Sequence, residues 1–101
     1  MRKSIDGIIV EWDAKKNNSN IKKHKLSFET ASLVFADINR VELFDFMHSK
    51  KEYRYIVIGL VNDLITVIYT ERKEALRIIS ARIATATERE IYYVKNNQKN
   101  R

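Results

Sequence analysis

Four arginines stand where hydrophobic, β-branched segments begin and end. Arg54 opens one such segment, Arg72 closes the next, and Arg77 and Arg82 bracket the last. A guanidinium stays charged at any relevant pH, and its planar fork holds carboxylate or phosphate oxygens two at a time. Hairpin pairing of these segments would bring sequence-distant arginines together at the ends of a sheet. Arg77 and Arg82 are five positions apart, which in an ideal strand sets them on opposite faces. At most one of the two then shares an open face, unless Arg82 lies past the strand. The ordinary alternative is ion pairing with Glu52, Glu71 and Glu74, which needs no ligand.

The two histidines differ in setting. His24 lies within Lys22-Lys23-His24-Lys25, and its imidazole can accept a proton near neutral pH, as a general base must. A histidine at a helix end can equally serve as a C-terminal cap. His48, in a polar stretch between strands, is assigned no role. Two isolated histidines without cysteine make no convincing zinc site, and Gly7 and Gly59 alone make no glycine-rich phosphate loop. No metal and no cofactor are expected.

The chain that must position these groups has 101 residues, enough for one domain over 1–101, with residues 1–7 and 96–101 expected to be flexible. Its 45% hydrophobic content against 32% charged excludes a disordered composition. The lack of cysteine excludes a disulfide-stapled scaffold and suits a reducing compartment. No apolar stretch approaches the roughly 20 residues that span a bilayer. Asp6 interrupts the faint signal-like start, so a cytoplasmic protein without membrane contact is expected. The net charge of +6, with both halves of the chain positive, fits a polyanionic partner: nucleic acid or an acidic protein.

Periodicity divides the chain into an α+β order. Ile8 to Trp12 alternate weakly and fit a short N-terminal strand, after which Asp13 can cap a helix running to His24. Ser27 can cap a second helix, which buries Phe28, Ala31 and Phe35 on one face. Val41–Phe46, Tyr53–Val61, Leu64–Glu71 and Leu76–Arg82 then read as four strands. Asn62-Asp63 and Lys73 to Ala75 leave room only for hairpin turns, so these strands form an antiparallel meander. Thr85-Ala86-Thr87-Glu88 is a capping box that opens a third helix.

Co-linear motifs then carry a resemblance. Glu11-Trp12-Asp13, Lys16, Asn20, Lys23-His24, Ser27-Phe28, Ala31, Phe35 and Asp37 are followed by Glu52, Arg54, Gly59 and Thr70-Glu71-Arg72. The series ends with Arg77 to Arg82, Ala84-Thr85 and Glu88-Arg89. Over about residues 9 to 93 the sequence resembles the BrnT family of toxins. It departs from that pattern at Lys25, where the family usually has glycine, and at Tyr53, where a second glutamate usually precedes the arginine.

The resemblance implies a RelE-like fold and a ribonuclease toxin of a type II toxin–antitoxin module that inhibits translation. It further implies a BrnA-like ribbon-helix-helix antitoxin in a hetero-oligomer, with operator DNA reached only through that antitoxin. RNA cleavage without a metal needs a base for the 2′-hydroxyl and cations against the charge building on the phosphate. On this reading Arg54, Arg72 and Arg82 hold the phosphate, with His24 or Glu71 moving the proton and Lys22, Lys23 and Arg77 binding RNA. A non-catalytic basic module that binds RNA or a protein partner is the competing expectation.

Overall fold

The computed structural model describes residues 1–99. In chain order it contains β1 (Arg2–Ile5), β2 (Ile8–Glu11), α1 (Ala14–His24) and α2 (Phe28–Ser32), the last continued by a 3₁₀ turn at Leu33–Ala36. There follow β3 (Val41–Phe44), a 3₁₀ turn at Phe46–His48, β4 (Arg54–Val61), β5 (Asp63–Arg72), β6 (Ala75–Ile83) and α3 (Ala86–Lys99). The expected caps are present. Asp13 accepts from the Lys16 amide at 3.0 Å, Ser27 from the Thr30 amide at 3.1 Å, and Thr85 and Glu88 bond reciprocally at 2.8 and 3.2 Å.

β3 to β6 form the expected antiparallel meander, turned by Asn62 at φ 58° and Lys73 at φ 32°. The sheet is nevertheless six-stranded rather than four-stranded, in the order β1-β2-β6-β5-β4-β3. β2 lies parallel to β6, setting Val10 beside Leu76 and Glu11 beside Arg77. Without it, the backbone of β6 would be an open template for another chain. Residues 1–7, expected to be flexible, instead carry β1, because Asp6 (φ 49°) and Gly7 (φ 84°) supply the two positive φ angles of a tight hairpin turn. Of the segment 96–101, residues 96–99 continue α3, and 100–101 lie outside the described residues.

Each face of the sheet has its own apolar cluster. On one face Phe28, Ala31, Val34 and Phe35 pack against Val57, Val67, Tyr69, Ile78 and Ala81. Asn20 docks α1 there, donating to the carbonyls of Leu26 and Ala81 at 2.9 Å and accepting from the Ala81 amide, so its burial leaves no polar atom unsatisfied. On the other face Tyr92 of α3 covers Val41, Ile58, Leu64 and Ala84. Because α3 occupies only that end, the stretch around Ile56, Ile68 and Ser80 is left to line a cleft.

Candidate functional site

A β-bulge decides which arginines face the cleft. Ile68 pairs with Ser80 but Tyr69 pairs with Ile78, which leaves Ile79 as an extra residue in β6. The insertion reverses the alternation, so Arg77 stands opposite Thr70 and Arg82 opposite Thr66, and both side chains share one face. The expectation that at most one of them could do so is therefore corrected. Arg54 also lies opposite Thr70, and Arg72 is two residues further along β5. All four arginines thus belong to the face that α1 and α2 do not cover.

Their partners differ. Arg72 donates to Glu52 at 2.6 Å, and Arg77 donates to Glu11 at 2.9 Å. Glu11 also accepts from Arg2, and the hydrogen bonds from Arg2 and Arg77 hold its carboxyl below the usual range. Arg82 donates from both terminal nitrogens to the two Glu88 oxygens at 2.6 and 3.0 Å. Burial opposes the charge on Glu88, yet donors from Arg82, the Thr85 amide and the Thr66 hydroxyl outweigh it and bring its pKa down to about 2. Neither Glu71 nor Glu74 takes part in these pairs. Arg54 has no carboxylate partner among the described residues, and its Nε is buried without a hydrogen bond.

The β3–β4 connection adds a histidine to which the sequence alone assigns no role. His48 Nδ1 lies 3.0 and 3.1 Å from the two Asp45 oxygens. In the neutral ring this contact favours the tautomer with the proton on Nδ1, whose Nε2 is then the accepting nitrogen. The loop is held at both ends: Asp45 N–H donates to the Arg54 carbonyl at 2.8 Å, Arg54 N–H to Ser49 Oγ at 2.9 Å, and Ser49 Oγ to the Asp45 carbonyl at 2.6 Å. Thr70 Oγ1 ties it to β5 by donating to the Tyr53 carbonyl at 2.7 Å.

Two adjoining clefts share Arg54 and His48. One, of about 300 Å³, reaches Ser80 and Arg82; the other, of about 650 Å³, is flanked by Lys50, Lys51 and Glu52. Such a site sets a proton acceptor beside fixed cations, which suits transfer at a phosphate. The other expected residues stand apart. His24 ends α1, on the helix-covered side, with Lys22 and Lys23 exposed in the same last turn. Glu71 projects to the face opposite Thr70, where its hydrogen bond is the main cause that raises the Tyr55 phenol.

The fold and the cleft define a small basic α+β protein with arginine and histidine side chains gathered at one open cleft. Residues 12–88 match the family described as ribonuclease toxin, BrnT, of type II toxin-antitoxin system, and the chain belongs to that family. It is also similar to the crystal structure of the Brucella abortus ribonuclease toxin BrnT, at 30% identity and a TM-score of 0.54, over 75% of this chain and 95% of that one. A search of curated proteins gives no match. Among the described residues no helix is long and apolar enough to cross a membrane.

Proposed function

We propose that the chain cleaves RNA without a metal ion, using the cleft between His48, Arg54 and Arg82. The observation that carries this reading is the Asp45–His48 pair beside an arginine whose Nε is buried and unpaired. In the proposed step the 2′-hydroxyl oxygen attacks the adjacent phosphorus and gives its proton to His48 Nε2. The bond to the 5′-oxygen then breaks, and that oxygen takes a proton from the imidazolium or from solvent. Arg54 and Arg82 meet the charge that grows on the phosphoryl oxygens, and Arg72 holds the flanking backbone. This assigns the base to His48 in place of His24 or Glu71, and leaves Lys22, Lys23 and Arg77 as outlying cations that attract RNA.

The wider reading follows the family. The chain acts in the cytoplasm as a single domain whose β3–β6 meander and α3 are the RelE-like part of the fold, and it inhibits translation. A BrnA-like ribbon-helix-helix antitoxin neutralises it in a hetero-oligomer, and only that antitoxin brings the complex to operator DNA. The ion pairs of Arg72, Arg77 and Arg82 favour a second reading, a basic RNA- or protein-binding module without catalysis. Purified protein incubated with single-stranded RNA in excess EDTA separates the two. Cleavage that is lost in His48→Ala supports the first, whereas RNA binding without any cleavage supports the second.

A further inference from the structure

The cleft that joins His48, Arg54 and Arg82 also has an apolar floor. Along β5 every residue from Leu64 to Thr70 is buried except Ile68, which marks where the sheet opens to solvent. Ile68 lines the cleft with Ile56 and Ile79, and neither Ile68 nor Ile79 belongs to an apolar core cluster. Ile56 and Ser80 both pair with Ile68, so all three share the face that carries Arg54 and Arg82. Ser80 brings the only hydroxyl among the residues lining this cleft.

A phosphate has no use for such a floor. It needs cations and donors, which Arg54 and Arg82 supply at the same cleft. Three aliphatic side chains beside one hydroxyl are instead the lining of a pocket for a mostly apolar group with a polar edge. At about 300 Å³ the cleft stands at the small end of ligand pockets, room for one base and not for a run of them. Each phosphate of an RNA chain is bordered by riboses that carry bases, so a backbone seated on the arginines brings a base to the floor.

We propose that Ile56, Ile68 and Ile79 seat the base of a nucleotide bordering the scissile phosphate, with Ser80 hydrogen-bonded to its polar edge, which makes unpaired RNA the preferred substrate. The base seat rests on the ribonuclease reading above for the identity of its ligand. A base inside a duplex has to leave its stack to reach the floor, a cost that an unpaired base does not meet. A seated base also fixes the backbone in register with His48 and the arginines, the positioning that lowers the barrier to an intramolecular attack.

The test uses the full chain and a short single-stranded RNA with one cleavage site. The base on either side of that site is removed in turn, and a hairpin that pairs the same nucleotides is run alongside. Wild-type protein should cleave the intact strand at least about tenfold faster than the hairpin and than one of the two abasic strands. Ile68→Phe fills the cleft and should bring the ratio of intact to abasic rates close to one. Ser80→Ala should reduce that ratio by roughly 2- to 10-fold, while Ser80→Thr keeps the hydroxyl and retains it. A residue that only supports the fold would lower both rates together and leave the ratio alone, so Ser80→Ala decides the matter even if Ile68→Phe fails to fold. Ile38→Ala, at an exposed position that lines neither cleft, serves as a control. Equal wild-type rates on the intact strand and both abasic strands overturn the base seat. An unchanged ratio in the folded variants does the same, and if they lose only antitoxin binding, the cleft is a protein socket and the proposal is equally overturned. If no strand is cleaved, the comparison is read from RNA affinity. A preference for the intact strand that Ile68→Phe or Ser80→Ala diminishes then keeps the base seat and rejects the ribonuclease reading, whereas no preference overturns the seat, so the two fail separately.

Discussion

Arg82 and Glu88 grip each other through two hydrogen bonds of 2.6 and 3.0 Å, joining β6 to the first turn of α3. The same carboxylate closes the capping box with Thr85 and accepts from Thr66 on β5. One side chain thus starts the last helix, fastens it to the sheet and fixes a guanidinium at the cleft. The Arg82 fork is thereby held in place before any ligand arrives.

This pairing predicts an acid-sensitive step in stability. The Glu88 carboxyl is held at about 2, below its ordinary 4.5. A depressed carboxylate contributes fully above its unfolded value, and the contribution disappears as the pH falls from 4.5 towards 2. It amounts to at most about 3 kcal/mol. Glu88→Gln should lower stability at pH 7 and flatten its fall over that interval. Urea titrations of both proteins at pH 7 and pH 3 check this, and parallel losses on acidification would contradict it.

His48→Ala should slow RNA cleavage by roughly 10²- to 10⁴-fold, and Asp45→Asn should slow it less while altering the pH profile, because Asp45 only sets the tautomer. His24→Ala and Glu71→Gln, on the helix-covered face, should remain near the wild-type rate. Single-turnover rates across pH distinguish the assignments. A slow His24→Ala beside an active His48→Ala would return the base to α1.

Arg54→Lys keeps the charge but loses the fork, so it should reduce kcat by about 10²-fold, much as the loss of one preorganised donor does. Lys22→Ala and Lys23→Ala should act on affinity alone, each reducing the salt slope by about one unit if the lysine neutralises one phosphate. Rates at saturating RNA, with binding measured at several salt concentrations, separate the two effects.

Gly59→Ala should destabilise the fold by roughly 1 to 3 kcal/mol through overpacking. A Cβ at that position would lie 2.5 Å from Cγ2 of Val34, which is itself fully buried, and 3.3 Å from the Val34 carbonyl. Asp37 reinforces this approach by accepting from the Leu60 amide and the Tyr92 hydroxyl, so β4 cannot easily retreat. Thermal unfolding of the variant, with Val34→Ala as the partner change expected to relieve it, measures the clash.

What can be read from the chain is local. Asp13, Ser27 and Thr85 announce helices because a cap needs only its own next turn, and Asn62 announces a hairpin for the same reason. Asp6-Gly7 carries an equally local hairpin signal that the weak alternation of its flanks obscures. The shared face of Arg77 and Arg82 is hidden because the bulge at Ile79 arises from pairing between β5 and β6, which strict alternation cannot register. His48 is inconspicuous among polar loop residues, although Asp45 three positions earlier is the spacing that one turn of 3₁₀ backbone brings together. The parallel β2–β6 pairing joins residues 66 positions apart, as in Glu11 with Arg77, and no local pattern specifies it.

Lys25 offers a test of the turn after α1. It caps the helix at φ 58° and ψ 30°, donating its amide to the Ile21 carbonyl at 2.8 Å. A Cβ in this left-handed conformation costs on the order of 1 kcal/mol, which glycine avoids. Glycine also loses more backbone freedom on folding, and removing the lysine takes a favourable charge from the helix C-terminus, so the direct comparison with wild type mixes three effects. Lys25→Ala removes the same charge while keeping the Cβ. Lys25→Gly should therefore be more stable than Lys25→Ala by up to about 1 kcal/mol, the reverse of the order expected inside a helix. Denaturant midpoints of the two variants decide the matter: an alanine variant as stable as the glycine variant would mean that residue 25 leaves the left-handed region in solution.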